Sequence, residues 1–262
     1  MKSLFFLLFA CTLLSLTSCK SGGGVNMYSV SQDKELGAQV NEQILSDPNQ
    51  FPVLDRNRYG RAYGHIERIT SNILNSGQVR YRDNFNWSVK LINDDETLNA
   101  FATPGGYIYV YSGLIKYLDS EDQLAGVMGH EIGHADGRHS TKQATKMMGV
   151  QVLSQVLLGN QQALQQVAAG LVGLKFSRAH ETEADELSVK YLCATQYNAA
   201  GAAAFFEKLS AAGNGARQPE FMSTHPNPDN RVQHIHNEAK VRGCSGKSTN
   251  QAQYQDFKRS LP

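Results

Sequence analysis

The sequence predicts a mainly helical α+β domain in which one small sheet lies beside a helix that carries the pattern H-E-x-x-H at residues 130–134. Apolar residues recur at helical spacing over residues 58–75, and further helical segments follow in the second half of the chain. Residues 86–92 alternate as a half-buried strand does, and residues 107–110 form a second strand. Many helices and a few short strands indicate this fold class.

The N-terminal residues predict export and lipid attachment. An apolar stretch at residues 4–16 follows a basic start, and Leu16-Thr17-Ser18-Cys19 resembles a bacterial lipobox. We therefore expect residues 1–18 to be a lipoprotein signal peptide. Cys19 would carry the lipid that anchors the protein to a membrane, with residues 19–30 as lipidated N-terminus and flexible tether. An uncleaved membrane anchor, or a cleaved signal with a chance cysteine, is the alternative.

The elements of the main domain, residues 31–245, follow in order, and residues 246–262 are expected to be a polar C-terminal tail. Around Asn99 we expect a third strand, at the edge of the sheet, where an extended peptide can pair by main-chain hydrogen bonds. Asn99 and Ala100 are therefore candidate substrate-binding residues. The helices are expected at residues 31–46, 58–75 and 114–118, in the segment with the H-E-x-x-H pattern, within 141–175, and at 180–194, 199–212 and 229–242.

Residues 147–174 contain no charged side chain. Six glutamines interrupt this segment, which argues against a membrane span. Gly159-Asn160 indicates a turn between two helices. The segment is therefore expected to be a packed helical hairpin, with a mobile cover over the active site or a membrane-resting surface as alternatives.

The overall charge argues against nucleic acid as a partner, because 25 basic and 24 acidic residues give a formal net charge of +1. Of the four cysteines, Cys11 lies in the predicted signal and Cys19 in the lipobox. Cys193 and Cys244 remain. They can form a disulfide in an oxidising compartment, and a buried free thiol at Cys193 is the competing interpretation.

The H-E-x-x-H pattern has the spacing of a zinc site. On a helix, His130 and His134 project from one face, and Glu131 between them is placed to act as a general base. Ser120 is a suitable N-cap for this helix. The helix also contains several glycines, each costing about 0.8–1 kcal/mol relative to alanine, which indicates close approach of another backbone.

Catalytic zinc usually has three protein ligands, so the third must come from elsewhere. Metzincins use a histidine six residues after the second one, where this chain has Ser140. Gluzincins use a glutamate on a later helix, and Glu181 and Asp185 share a helical face four residues apart. Glu181 can bind zinc while Asp185 accepts a hydrogen bond from a ligand histidine, and Glu183 points elsewhere. The alternative is an acidic, solvated helix face.

These motifs together resemble a known family. H-E-I-G-H followed by S-R-x-x-E-x-E-A-D is similar to the HtpX-like and CAAX prenyl protease family of gluzincin zinc metallopeptidases, and more narrowly to its small periplasmic BepA/LoiP-type lipoprotein branch. Residues 99–110 and the T-H-P motif at Thr224-His225-Pro226 match the same family. The resemblance implies an endopeptidase that acts on unfolded or misassembled envelope proteins, at the periplasmic face of the outer membrane.

The resemblance also implies roles for individual residues. One zinc ion would be bound by His130, His134 and Glu181, with Glu131 as the general base. The resemblance also places His225 in the metal pocket. There it would either stabilise the oxyanion or occupy the open zinc position and keep the enzyme latent. A catalytically silent, zinc-stabilised chaperone or binding module is the alternative function.

Overall fold

The computed structural model describes residues 24–211, 220–226, 230–245 and 250–262. The predicted signal peptide and Cys19 lie outside the described residues. The helices are α1 (Val30–Ser46), α2 (Gly60–Leu74), α3 (Ser112–Tyr117), α4 (Glu121–Asp136), α5 (His139–Met147), α6 (Val150–Leu157), α7 (Gln161–Ala169), α8 (Arg178–Cys193), α9 (Gly201–Ala211), α10 (Glu220–Thr224), α11 (Arg231–Val241) and α12 (Gln251–Ser260).

The sheet has three strands, β1 (Ser88–Ile92), β2 (Ala100–Thr103) and β3 (Tyr107–Tyr111), in the order β1-β3-β2. β3 pairs in parallel with β1 and antiparallel with β2. β2 is therefore an edge strand of the sheet and packs against α4. The predicted mainly helical class with a small sheet beside the H-E-x-x-H helix is confirmed.

α4 is the central helix, and glycines allow α8 and α9 to approach it closely. A Cβ atom added to Gly126 would lie 2.1 Å from the backbone nitrogen of Ala202 in α9. A Cβ atom on Gly133 would lie 3.0 Å from the carbonyl oxygen of Ala184 in α8. The close backbone approach expected from these glycines is thus present, and it brings α8 to the face of α4 that carries the histidines.

The uncharged segment forms the expected hairpin of two helices, α6 and α7, with a turn at Gly159. Leu153, Val156, Leu164 and Val167 are buried in a second apolar cluster with residues of α1 and of the sheet. Among the described residues, no helix is long and apolar enough to cross a membrane.

The C-terminal residues differ from the expected polar tail, because residues 251–260 form α12, which packs against α2. Tyr254 and Phe257 are buried in the main core, and the hydroxyl of Tyr254 donates to the carbonyl oxygen of Ile115 at 2.7 Å. Tyr254, Phe257 and Leu261 follow helical spacing, a signal that the polar composition of the segment obscures.

A disulfide joins Cys193 at the end of α8 to Cys244 after α11, across 51 residues. The sequence allowed either a disulfide or a buried free thiol at Cys193, and the structure has the disulfide. The link fastens α11 to α8, and α11 carries Arg231 at its first position.

Candidate metal centre

Two capped helices bring the candidate ligands together. Ser120 caps α4 by accepting a hydrogen bond from the backbone N–H of Gln123, as predicted, and Ser177 caps α8 through the N–H of His180. Because α8 lies along the glycine-rich face of α4, the first turn of α8 presents Glu181 to the two histidines of the last turns of α4. All three side chains are buried.

The nitrogen and oxygen atoms of four residues converge in one cluster, formed by His130, His134, Glu181 and His225. Nε2 of His130 lies 3.0 Å from Nε2 of His134 and 3.3 Å from Glu181 Oε2. Nε2 of His134 lies 3.3 Å from Glu181 Oε1. Nδ1 of His225 lies 3.3 Å from His130 Nε2 and 3.2 Å from Glu181 Oε1.

These separations fit a shared tetrahedral metal ion. Ligand atoms about 2.0–2.1 Å from such an ion lie about 3.3 Å from one another. Glu181 Oε2 is buried and makes no hydrogen bond among the described residues, and its nearest charged neighbours, Nε2 of His130 and Nη2 of Arg231, are each 3.3 Å away. A metal ion would give this oxygen a direct partner. The donor set therefore fits a metal ion that prefers nitrogen and oxygen ligands.

The protonation of His134 and Glu181 suits metal binding. At His130, burial opposes protonation but Asp185 and Glu181 raise the pKa to about 9, so an ion would displace a proton from this ring. Burial lowers the pKa of His134 well below its ordinary value, which keeps the ring neutral. Burial opposes ionisation of Glu181, but His225 and His134 hold its pKa well below the usual range. A neutral imidazole and an ionised carboxylate are the forms that bind metals.

Glu131 lies beside the cluster without joining it. Its carboxylate is fully buried, and neither oxygen has a hydrogen-bond partner among the described residues. Its Oε1 lies 3.7 Å from Nε2 of His225. Burial raises the pKa of Glu131, against the opposing influence of His225 and His130. An unpaired carboxylate next to a metal cluster is available for proton transfer.

Asp185 and Arg231 hold the ring of His130. Nδ1 of His130 lies 2.8 Å from Asp185 Oδ1, as the sequence predicts for a carboxylate four residues after Glu181. Arg231 donates from Nε and Nη2 to the two oxygens of Asp185 at 2.8 and 2.7 Å. This bidentate pair fixes the carboxylate, which in turn orients Nε2 of His130 towards the cluster.

His139 and Glu183 contact the far side of His134. Nδ1 of His139 lies 3.1 Å from Nδ1 of His134, and Nε2 of His139 lies 3.3 Å from Glu183 Oε2. His139 is fully buried, and its ring stacks on that of His180. When His134 presents Nε2 to an ion, its Nδ1–H can donate to His139. Glu183 points away from the cluster, as predicted. It contacts His139, which in turn contacts His134.

Aromatic side chains cover the cluster. The ring of Phe221 stacks on that of His225 with centroids 4.2 Å apart. The ring of Phe176 lies 4.0 Å from that of His134 and 5.5 Å from that of His225. His225 itself is fully buried. Among the described residues, these two aromatic rings therefore pack directly on the rings of His134 and His225.

The candidate substrate-binding residues lie at the start of the edge strand. The carbonyl oxygen of Asn99 accepts a hydrogen bond from Tyr111, and Ala100 stands opposite Val110. Since hydrogen bonding to β3 alternates along the strand, the main-chain groups of Ala100 and Ala102 point to the free edge. Asn99 and Ala102 also line a cavity together with His225.

Arg231 and His139 reach the site through contacts that leave no local signal in the sequence, and each contact has its own physical cause. Arg231 reaches Asp185 because α11 packs against α8, a contact between distant segments that no local pattern encodes. His139 reaches His134 because α4 ends and Arg138 turns the chain in a left-handed conformation with φ 55°. A charged residue at that position gives no signal for such a turn.

A helix whose two histidines meet a glutamate from a later helix, beside a small sheet, defines a metallopeptidase domain. The sequence matches peptidase family M48 over residues 61–239, which is more than half of the chain. The chain belongs to this family, which confirms the resemblance inferred from the motifs.

Similar proteins occur in bacteria and in a plant. The chain is 33% identical to the mitochondrial metalloendopeptidase OMA1 of Arabidopsis thaliana, over 57% of this chain and 31% of the relative. It is 34% identical to the beta-barrel assembly-enhancing protease of Escherichia coli, over 57% of this chain and 34% of the relative. It is 31% identical to the metalloprotease LoiP of Escherichia coli, over 79% and 81% respectively. The chain thus spans about a third of the first two relatives.

Proposed function

We propose that this chain is a zinc-dependent endopeptidase that hydrolyses peptide bonds in unfolded or misassembled proteins of a bacterial cell envelope. The observation that carries the proposal is the buried cluster of three imidazoles and one carboxylate, with the unpaired carboxylate of Glu131 beside it. Membership of peptidase family M48 supports peptide hydrolysis. The similarity to a protease named for assembly of beta-barrels supports the substrate class.

The metal is proposed to be zinc, with His130, His134 and Glu181 as its ligands. Imidazole nitrogens with one carboxylate are typical ligands of catalytic zinc, whereas magnesium and calcium prefer oxygen ligands. A zinc ion held there supplies Lewis-acid activation of a water molecule and of the scissile carbonyl group. Asp185, held by Arg231, keeps the ring of His130 oriented for this task.

Glu131 is the proposed general base. Its carboxylate accepts a proton from the attacking water and then delivers this proton to the nitrogen of the leaving amine. Burial raises the pKa of Glu131, so the protonated form that must donate in the second step is more accessible than in an exposed glutamate.

The edge of β2 is the proposed binding site for the substrate main chain, with Asn99 and Ala100 at its start. An extended peptide adds to such an edge by main-chain hydrogen bonds, which hold it independently of its sequence. β2 packs against α4, so this edge borders the helix that carries Glu131. A peptide on β2 would therefore pass the metal cluster.

His225 has two alternative roles, stabilising the oxyanion or occupying the open metal position. The distances of 3.3 and 3.2 Å from His225 Nδ1 to His130 and Glu181 support the second role, because donors that share an ion are separated in this way. We therefore propose that His225 is the fourth donor of a resting state and leaves when substrate binds.

The location is proposed to be the periplasmic face of the outer membrane, with a lipid on Cys19 as the anchor. The disulfide between Cys193 and Cys244 supports an oxidising compartment, because disulfides persist there and are rare in the bacterial cytosol. The lipobox-like residues before Cys19 support lipid attachment.

The proposal is tested by incubating the full chain with unfolded casein, with and without a chelator, and by comparing Glu131→Gln. We expect cleavage that the chelator abolishes and added zinc restores. Glu131→Gln should bind zinc but cleave nothing, because an amide cannot accept the proton. Glu186→Gln is the control, since Glu186 is a half-buried residue of α8 that pairs with His234 outside the cluster. Zinc binding without cleavage by the unaltered protein would instead identify a silent binding module.

A further inference from the structure

The acidic residues of this chain are unevenly distributed. Although the chain has 24 acidic residues, residues 1–32 and residues 137–180 contain none. The second of these segments carries basic residues instead, namely Arg138, Lys142, Lys146, Lys175 and Arg178. A surface built from the two segments is therefore positively charged, although the chain as a whole has a formal net charge of only +1.

The two segments meet in the structure, because residues 24–27 lie along α5. The backbone N–H of Met27 donates to Thr145 Oγ1 at 3.2 Å, and Nδ2 of Asn26 donates to a second threonine of α5 at 2.9 Å. A cavity of about 450 Å³ lies between residues 24–25, α5 and the start of α8, and its lining includes Val25, Lys142, Lys146, Ser177 and His180. We call the surface formed by residues 24–27, α5 and residues 175–179 the basic face.

Most of the positive charge of the basic face is open to solvent. Lys146, Lys175 and Arg178 are exposed. Lys142 is half-buried, and its Nζ lies 3.9 Å from Glu183 Oε2, an acidic group that reaches this face from α8. The basic face therefore presents at least three cationic side chains to an external partner, and one carboxylate opposes only the fourth.

Exposed apolar side chains accompany these charges. Val25, Met27 and Met147 are 79%, 47% and 66% exposed, although the chain buries most of its large apolar side chains. Met147 lies in the last turn of α5, next to Lys146. Apolar side chains beside lysines and arginines are typical of surfaces that lie in a membrane interface, where the apolar groups enter the boundary between headgroups and acyl chains.

The proposed lipid anchor is joined to this face by a short connection. Five residues lead from Cys19 to Gly24, and a chain spans at most about 3.6 Å per residue. Gly24 is therefore held within about 18 Å of Cys19 whatever path the connection takes. A lipid on Cys19 thus keeps the basic face close to the bilayer.

We propose that the basic face docks on a bilayer surface that contains anionic headgroups, an inference that rests on the proposed lipid anchor at Cys19. The lysines and arginines attract the headgroups, and the exposed valine and methionines insert beside them. A lipid anchor together with a basic surface binds a membrane more firmly than either does alone.

Docking would also place the candidate metal cluster at the membrane. Phe176, whose ring packs on those of His134 and His225, lies between Lys175 and Ser177 in the chain. The aromatic cover of the cluster is thus next to the basic face. The proposed endopeptidase would therefore meet polypeptides at the bilayer surface more often than polypeptides free in solution.

The test uses the full chain on vesicles of phosphatidylcholine with phosphatidylglycerol, in which brominated lipids quench tryptophan fluorescence. Trp87 is the only tryptophan of the chain and lies outside the basic face, so the unaltered protein gives the baseline. Met147→Trp adds a fluorophore on the face, and Val241→Trp, at an 82% exposed position of α11, is the control. We expect brominated lipids to reduce the added fluorescence of Met147→Trp at least about twofold and to leave that of Val241→Trp nearly unchanged.

A matched pair of charge reversals tests the headgroup preference. Lys146 and Lys240 are both exposed lysines in the last turn of a helix, α5 and α11 respectively. In the Met147→Trp background, Lys146→Glu should lower the ratio of docked to undocked molecules by about 10–30-fold, because it changes the charge at the surface by two units. Lys240→Glu should leave this ratio within about twofold.

Three results would overturn the inference at different points. If the chain carries a fatty-acid label but Met147→Trp is quenched no more than Val241→Trp, docking is wrong and the anchor stands. A chain that takes up no fatty-acid label would remove the anchor and the docking with it. Equal effects of Lys146→Glu and Lys240→Glu would refute recognition of anionic headgroups. Cleavage of unfolded casein by the same variants reports separately on the proposed endopeptidase function.

Discussion

Glu181 and Glu183 lie two residues apart on α8 but face different partners, one the two histidines and the other His139. Glu181→Ala should lower zinc affinity by more than about 100-fold, since it removes a proposed ligand. Asp185→Ala should lower the affinity by about 10–100-fold, as expected for a group that orients a ligand. Glu183 contacts the site only through His139, so Glu183→Ala should change zinc affinity by less than about tenfold.

Competition with a chromophoric chelator measures these three affinities directly. Loss of zinc from Glu183→Ala but not from Glu181→Ala would show that the proposed ligand on α8 is wrong.

His225 is the residue whose two alternative roles predict opposite results. If His225 is the displaceable fourth donor, substrate binds only to the small fraction of molecules in which His225 has left the metal position. His225→Ala should then raise cleavage of a short fluorogenic peptide by about tenfold, because the apparent affinity for the peptide is proportional to that fraction. An oxyanion donor would instead cost about 10²–10³ in rate when removed. His234→Ala is the control, since His234 lies near the same loop but is partly exposed. A rate decrease specific to His225→Ala would favour the oxyanion role.

At the scale of single residues, the sequence predicts those neighbours that lie on one face of the same helix. His130 and His134 share a face, and Glu181 and Asp185 share another, because four residues make about one turn. The two residues without an assigned role, His139 and Arg231, come into contact through a left-handed turn and through packing of distant helices. Neither cause leaves a periodic pattern in the sequence.

At the scale of elements, the sheet and the hairpin have a visible sequence pattern, whereas α12 does not. Alternating and apolar segments indicated the strands and the packed hairpin of α6 and α7, whereas α12 has only a few apolar residues among polar ones. Those few are nevertheless buried, and Phe257 stacks against His65 of α2 with ring centroids 5.3 Å apart. The C-terminal helix is therefore part of the folded domain.

Phe257→Ala should accordingly destabilise the protein by about 3–5 kcal/mol, the usual cost of removing a buried phenylalanine. Gln255→Ala, an exposed change in the same helix, should stay within about 0.5 kcal/mol. Urea unfolding at fixed zinc concentration measures both values. Equal stability of the two variants would mean that α12 does not contribute to the core.

At the scale of the whole molecule, the disulfide between Cys193 and Cys244 agrees with the proposed location in an oxidising compartment. The proposed anchor at Cys19 is tested by Cys19→Ser and by metabolic labelling with a fatty acid. We expect the variant to lose the label and to leave the membrane fraction. A labelled, membrane-bound variant would contradict lipid attachment at this residue.

The central claim is that one zinc ion is held by three imidazole nitrogens and one carboxylate oxygen. X-ray absorption at the zinc edge of the purified full chain tests this claim most directly. It should show one zinc per chain with four nitrogen or oxygen neighbours at about 2.0–2.2 Å, and multiple-scattering features of three histidines. In Glu181→Ala the zinc content should fall. A sulfur neighbour at about 2.3 Å, or a zinc signal that Glu181→Ala leaves unchanged, would contradict the account.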